Sequence, residues 1–193
     1  LLFFGIASII AGILVLIWGV CTAGAMESPL GWAGRLDTTN LLVPIGFILL
    51  AAGMFCLAYT CNSGLGYSSG VFLSVLAVLI WVIRFVKPTG SFELRATCIL
   101  QGSMLLVAMA ATFYALKDIS LRVGPTMLML IGYSLILLFG ILGMVGELAI
   151  ASLDADAMRA GAWSVCAGAV FGGVAGLLLS LTFLRTSGRE KSR

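Results

Sequence analysis

The sequence predicts an all-α polytopic membrane protein with six transmembrane helices, and three observations carry that expectation. The chain is 61% hydrophobic and only 10% charged, whereas a soluble domain carries roughly 25% charged residues. It therefore has too few charges to cover its own surface in water. The charges it has fall in short clusters between long apolar runs, and the mean hydropathy is +1.17. Its 24 glycines suit helices that approach one another closely in lipid.

A helix that crosses a bilayer needs about 20 predominantly apolar residues, so the charge-free runs can be taken in order. Leu1–Met26 is the first. Its apolar run is longer than that of a signal peptide and no basic segment precedes it, so it reads as a first span over about 1–25, with a few residues expected upstream. Thr38–Ile83 is too long for one span and breaks at Thr60-Cys61-Asn62-Ser63-Gly64-Leu65-Gly66, a run of turn formers. It divides into spans over about 41–60 and 67–87. Ala96–Leu116, Val123–Gly146 and Ala160–Leu184 supply the last three, over about 95–116, 125–150 and 160–184. Residues 186–193 form a polar tail, expected to be loose.

The connections are short, and the longest, Glu27–Asn40, is too small for a catalytic domain. Six spans place both termini on one side with the turns near Asn62 and Ser120. That side carries Lys117, Arg122, Arg185, Arg189, Lys191 and Arg193; the other carries Arg35, Arg84, Lys87, Arg95 and Arg159. The cluster in the tail points to cytoplasmic termini under the positive-inside rule.

The spans also suggest three copies of one helical hairpin. Val15-Leu16-Ile17-Trp18 recurs as Val78-Leu79-Ile80-Trp81, 63 positions on, and Ile136-Leu137-Leu138-Phe139 follows at 121. Among the even helices, Gly46 falls on Gly168 at a spacing of 122 and on Gly102 at 56. Two-span units would stand parallel to one another, unlike the inverted repeats of many transporters. Gly5, Gly12 and Gly19 recur every seven residues, the spacing of a left-handed packing seam. Gly168, Gly172 and Gly176 form a doubled GxxxG that offers a smooth groove to a neighbouring helix. These faces are expected to serve packing within the chain first; a homo-oligomer or a larger membrane complex is the alternative partner beside the lipid bilayer.

The repeated hairpins, with glycine-bearing runs such as Ala11-Gly12-Ile13-Leu14-Val15-Leu16 and Pro44-Ile45-Gly46-Phe47-Ile48-Leu49-Leu50, resemble the HdeD-like acid-resistance membrane protein family. The resemblance covers most of the chain through length, hydropathy and glycine phase. One departure is Pro29, which comes later than the proline that such proteins often carry after helix one. The resemblance implies a stress-associated membrane protein and brings no catalytic residues.

Ionisable groups inside a membrane are costly and are functional candidates by default. Glu147 lies about 33 Å along its helix from Pro125, at 1.5 Å per residue, so it is expected at the far interface. Arg84 is expected on the same face, where the two form a structural ion pair or snorkel, or else a gate or proton site, with Lys87 closer still in phase. Gln101 is the deepest strong hydrogen-bonding side chain. With Ser103, Ser74, Tyr133 and Ser134 it reads as hydrogen-bonding glue between helices, or else as a polar lining for a solute path. Asp154 and Asp156 precede an apolar run and read as N-terminal helix caps. Trp18, Trp81 and Trp163 fit an aromatic belt.

The chain has no histidine, which removes the commonest general base and metal ligand and the usual haem ligand. Cys21, Cys56, Cys61, Cys98 and Cys166 form no CxxC pair and read as packing residues. No catalytic residue, cofactor or metal is expected, and a net charge of +3 makes nucleic acid no partner. Two functional readings follow. One is a non-catalytic membrane protein that acts through helix packing, as a stress-related factor or an accessory subunit. The other is a small channel or transporter for an ion or neutral solute.

Overall fold

The computed structural model describes residues 2–25, 42–86 and 90–190, and of residues 21–25, 84–86 and 186–190 it describes the backbone alone. Among the described residues there are six helices: α1 (Leu2–Ala25), α2 (Leu42–Cys61), α3 (Gly64–Val86), α4 (Ser91–Val123), α5 (Met127–Ala151) and α6 (Ala155–Glu190). Each is long and apolar enough to cross a membrane. The all-α polytopic expectation holds. The connection Glu27–Asn40, the turn around Pro88, Lys87 and the last three residues lie outside the described residues.

Successive helices pack on one another, and α6 returns to pack on α1, so the bundle closes into a ring. Short connections make chain neighbours into spatial neighbours; the closing contact is the one that chain proximity does not supply. No amphipathic stripe of polar and apolar residues is needed, because lipid is as apolar as the interior. Size sorts the faces instead. On α1 the buried positions are Phe4, Gly5, Ala7, Ser8, Ala11, Gly12, Val15 and Gly19, while Ile6, Ile10, Ile13, Ile17 and Val20 are exposed. Small residues, with Phe4 and Val15, turn inward, and most of the isoleucines turn outward.

Two helices and one turn differ in extent from the sequence expectation, each for a local reason. The segment α4 starts at Ser91 and runs to Val123, past the expected 95–116. Its charge-free part fills the bilayer, and Glu93 at one end with the Asp118–Arg122 pair at the other continues the helix into the polar zones. The segment α6 starts at Ala155 because Asp154 Oδ2 accepts the Ala157 amide at 3.0 Å, the expected N-cap. It continues to Glu190, so residues 186–190 of the expected loose tail are helical; arginine and glutamate favour that state. The α2–α3 turn is tighter than expected, with Asn62 alone at a positive φ of 51°, a conformation asparagine adopts more readily than most residues.

Trp81 and Trp163 are half exposed, as an interfacial belt requires, whereas Trp18 packs partly buried against the core.

Candidate functional site

Three places in the ring hold the residues that could carry function: the helix seams, the polar groups at its two ends, and the axis.

The α1–α6 seam is built on glycine. A Cβ on Gly12 would stand 2.9 Å from the Gly173 carbonyl oxygen and 3.3 Å from the Gly176 Cα. Gly5 faces Leu184, and Gly19 faces Ala169 and the Cys166 carbonyl. The seven-residue stripe of α1 is thus consumed within the chain. The doubled GxxxG of α6 does not form one face. Gly168 and Gly172 lie against Phe139 of α5, while Gly176 lies against Ser8 and Gly12 of α1. Four residues turn a helix by about 400°, so each step drifts by about 40°, and three glycines in that spacing reach two neighbours.

Glycine also brings α1 to α2, α2 to α3, α4 to α5 and α5 to α6, where Gly146 and Gly161 bring their backbones together. The α3–α4 seam has no such glycine contact among the described residues. It is tied by hydroxyls: Ser69 Oγ and Thr112 Oγ1 share a buried hydrogen bond of 2.8 Å, and Thr112 also donates to the Ala108 carbonyl. At the end of the bundle that carries the termini, Ser63 Oγ donates to Asp118 Oδ2 at 2.9 Å and accepts the Gly66 amide. Arg122 pairs with Asp118 at 3.1 Å and donates to the carbonyls of Cys61 and Asn62. One i,i+4 ion pair on α4 therefore clamps the α2–α3 turn.

At the opposite end, Glu147 is half-buried and its Cβ sits over Gly102 of α4. Its carboxyl group lies beside the Cys98 thiol. The expected partner Arg84 has a side chain outside the described residues, so the structure turns Glu147 to α4 through Cys98. Replacing Glu147 by glutamine is expected to change stability by less than about 1 kcal/mol, because the amide keeps nearly the same shape and the same carbons on Gly102. Thermal unfolding in detergent checks it. A large fall in Tm would mean that the charge itself holds α4 to α5.

The polar residues proposed as a lining are not brought together. Gln101 and Ser103 sit at the Glu147 level of α4, and Ser103 Oγ donates to its own helix at Ile99. Tyr133 is buried with its ring edge-on to Phe113 at 5.3 Å, about 18 Å further along α4 by helical rise. Ser74 donates to Gly70, and Ser134 is exposed.

The axis is closed at mid-depth by apolar groups. Phe47 of α2 and Phe139 of α5 stack with centroids 6.4 Å apart and planes 12° from parallel. Beside them is a cavity of about 30 Å³ that Ser8, Gly12, Gly46, Met109, Gly172 and Leu179 help to line. None of Gln101, Ser103, Tyr133 or Glu147 borders it.

Sequence reasoning missed the Ser63–Asp118–Arg122 clamp, whose one visible signal was the i,i+4 spacing of Asp118 and Arg122. Comparison of the chain with protein-family models, curated proteins and solved structures gives no match in any of the three.

Proposed function

We propose that the chain is a non-catalytic integral membrane protein that acts through helix packing, as a stress-related membrane factor of the HdeD-like kind or as an accessory subunit of a membrane complex. The observation that supports this best is the closed ring, in which Gly5, Gly12, Gly19, Gly168, Gly172 and Gly176 all face neighbouring helices of the same chain. A ring held this way stands without a partner. A further subunit, or a second copy in a homo-oligomer, meets the outer aliphatic faces instead of the glycines.

The triple-hairpin reading is supported by the pattern of burial. Phe4, Ala7, Ser8, Ala11 and Val15 are buried, and so are Gly66, Ser69, Gly70, Leu73 and Ala77, each 62 positions on. That register is one residue off the 63 of the Val-Leu-Ile-Trp match, in which buried Val15 falls on exposed Val78. At 121 positions, Ser8, Ala11, Gly12, Val15 and Gly19 fall on buried Met129, Gly132, Tyr133, Ile136 and Gly140. The lysine and arginine cluster beside the termini supports their cytoplasmic placement.

The conduction reading draws on the cavity beside Phe47 and Phe139, but it needs a polar path, and Gln101, Ser103, Tyr133 and Glu147 do not border that cavity. Purified protein in sealed vesicles tests the choice. The packing role predicts no flux of small ions or neutral solutes above empty vesicles, and flux of any of them would overturn it. Co-purification in mild detergent then separates the two packing roles, since an accessory subunit brings a stoichiometric partner.

A further inference from the structure

The helix α3 is fastened to the ring along only half of its length. In the half toward the termini it is held on both sides. Gly66 lies against Ala58 and Gly70 against the Phe55 ring of α2. On the other side Ser63, just before the helix, bonds Asp118 and Ser69 bonds Thr112 of α4. From Val71 onward α3 has no glycine and none of those polar ties. Burial thins out in step. Gly66, Ser69, Gly70 and Leu73 are buried, then Leu76 and Ala77, and none from Val78 to Ile83. The span has the smallest buried share of the six.

The rest of the ring differs in its half away from the termini. There Gly19 meets Ala169 across α1–α6 and Gly46 meets Val15 across α1–α2. Gly102 meets Met144 across α4–α5, and Gly146 meets Gly161 across α5–α6. Neither seam of α3 has such a contact there among the described residues. In lipid, close packing and hydrogen bonds hold helix to helix, because burial of apolar surface adds little. The half of α3 with least of both is where local opening costs least.

We propose that α3 is a hinged arm, pivoting on its Gly66–Gly70 half while its Val78–Ile83 half swings out and opens the ring sideways to the bilayer. Arg122, bonded to the Cys61 and Asn62 carbonyls, keeps the pivot end in place. Ile80 is half-buried and packs against the core, which makes it the seat on which the arm closes. Opening exchanges apolar neighbours for lipid tails. It uncovers no orphaned hydroxyl, since Ser74 already donates to its own helix at Gly70.

Spin-label distances in the full chain in lipid nanodiscs test this, with labels on introduced non-cysteine amino acids so that the native cysteines stay. The Ser69–Thr112 bond sets an antiparallel register in which Val82 stands level with Leu100 and Tyr67 with Tyr114, all four exposed. The Val82–Leu100 pair is expected to show two separations. Tyr67–Tyr114 at the pivot, and the exposed pair Ile17–Val170 across α1–α6, are each expected to show one narrow separation. Ile80→Ala is expected to raise the share of the longer Val82–Leu100 separation severalfold, with Ile80→Val in between; an unchanged Ile17–Val170 distance shows that each variant is folded. A single narrow separation at Val82–Leu100 would overturn the proposal. So would two separations at Tyr67–Tyr114, which make α3 move as a whole, or an open share that both Ile80 variants leave unchanged.

Discussion

Gly176→Leu is expected to open the ring at the α1–α6 seam and to cost about 3 kcal/mol or more. A single Cβ at this position would meet the Ser8 carbonyl oxygen at 2.8 Å, the Gly12 Cα at 3.0 Å and the Gly12 nitrogen at 3.3 Å. All three are backbone atoms, so no side-chain rotation relieves the clash and α1 itself must move away. Overpacking a well-filled core by a methylene or two costs about 1–3 kcal/mol, and leucine adds more than that. Movement of α1 also loosens the Gly12–Gly173 contact one turn away. Gly64→Ala is the control, since nothing lies within 4 Å of its Cβ position; it is expected to stay within about 0.5 kcal/mol of wild type. Unfolding in mixed detergent micelles measures both. If Gly176→Leu unfolded at the wild-type midpoint, the seam would not be what holds the bundle closed.

Phe139→Ala is the second large effect. The ring of Phe139 stacks on Phe47 and covers Gly168 and Gly172, two residues with no side chain to refill its volume. In soluble cores such truncation costs about 3–5 kcal/mol. Part of that is transfer from water, which a membrane interior does not supply. The cavity term remains, at ~24 cal/mol per Å³, and a void of phenyl size gives about 2 kcal/mol. Phe139→Leu keeps most of the volume and is expected to lose less than about 1.5 kcal/mol. The same variant bears on function. The truncation joins the new void to the central cavity and leaves Phe47, Met109 and Leu179 around the axis. Vesicles carrying Phe139→Ala are expected to stay tight; a leak of water or small neutral solutes would show that the aromatic stack acts as a gate.

Depth along a helix was legible in the sequence, and direction around it was much less so. Charge-free length counted the spans, because the cost of a charge in hydrocarbon depends on depth alone. The helix ends ran further than expected wherever polar residues outside the hydrocarbon kept helical hydrogen bonding, as at Glu93 and Arg122. Gly5, Gly12 and Gly19 were legible as one face because seven residues is nearly two whole turns. Gly168, Gly172 and Gly176 were not one face, because four residues overshoot a turn and the drift accumulates. Glu147 lies near the end of α5, yet which neighbour it meets depends on rotation, and that neighbour is α4 at Gly102. In the Val-Leu-Ile-Trp match buried Val15 falls on exposed Val78 for the same reason: identity of residues does not report which face is buried.

The α1–α6 seam has a consequence for how the protein is made. During synthesis α1 enters the membrane well before α6 exists, and for that interval the stripe of Gly5, Gly12 and Gly19 has bare backbone facing lipid on the side that α6 will cover. Every other seam joins helices adjacent along the chain and can form as each hairpin is inserted. Ring closure is therefore the one contact that must wait, and the slowest to find by chance, since loop-closure entropy is greatest for the most distant pair. A nascent chain stalled before α6 would display that glycine stripe as a mark of incompleteness, open to membrane chaperones and proteases, and arrival of the last helix would erase it.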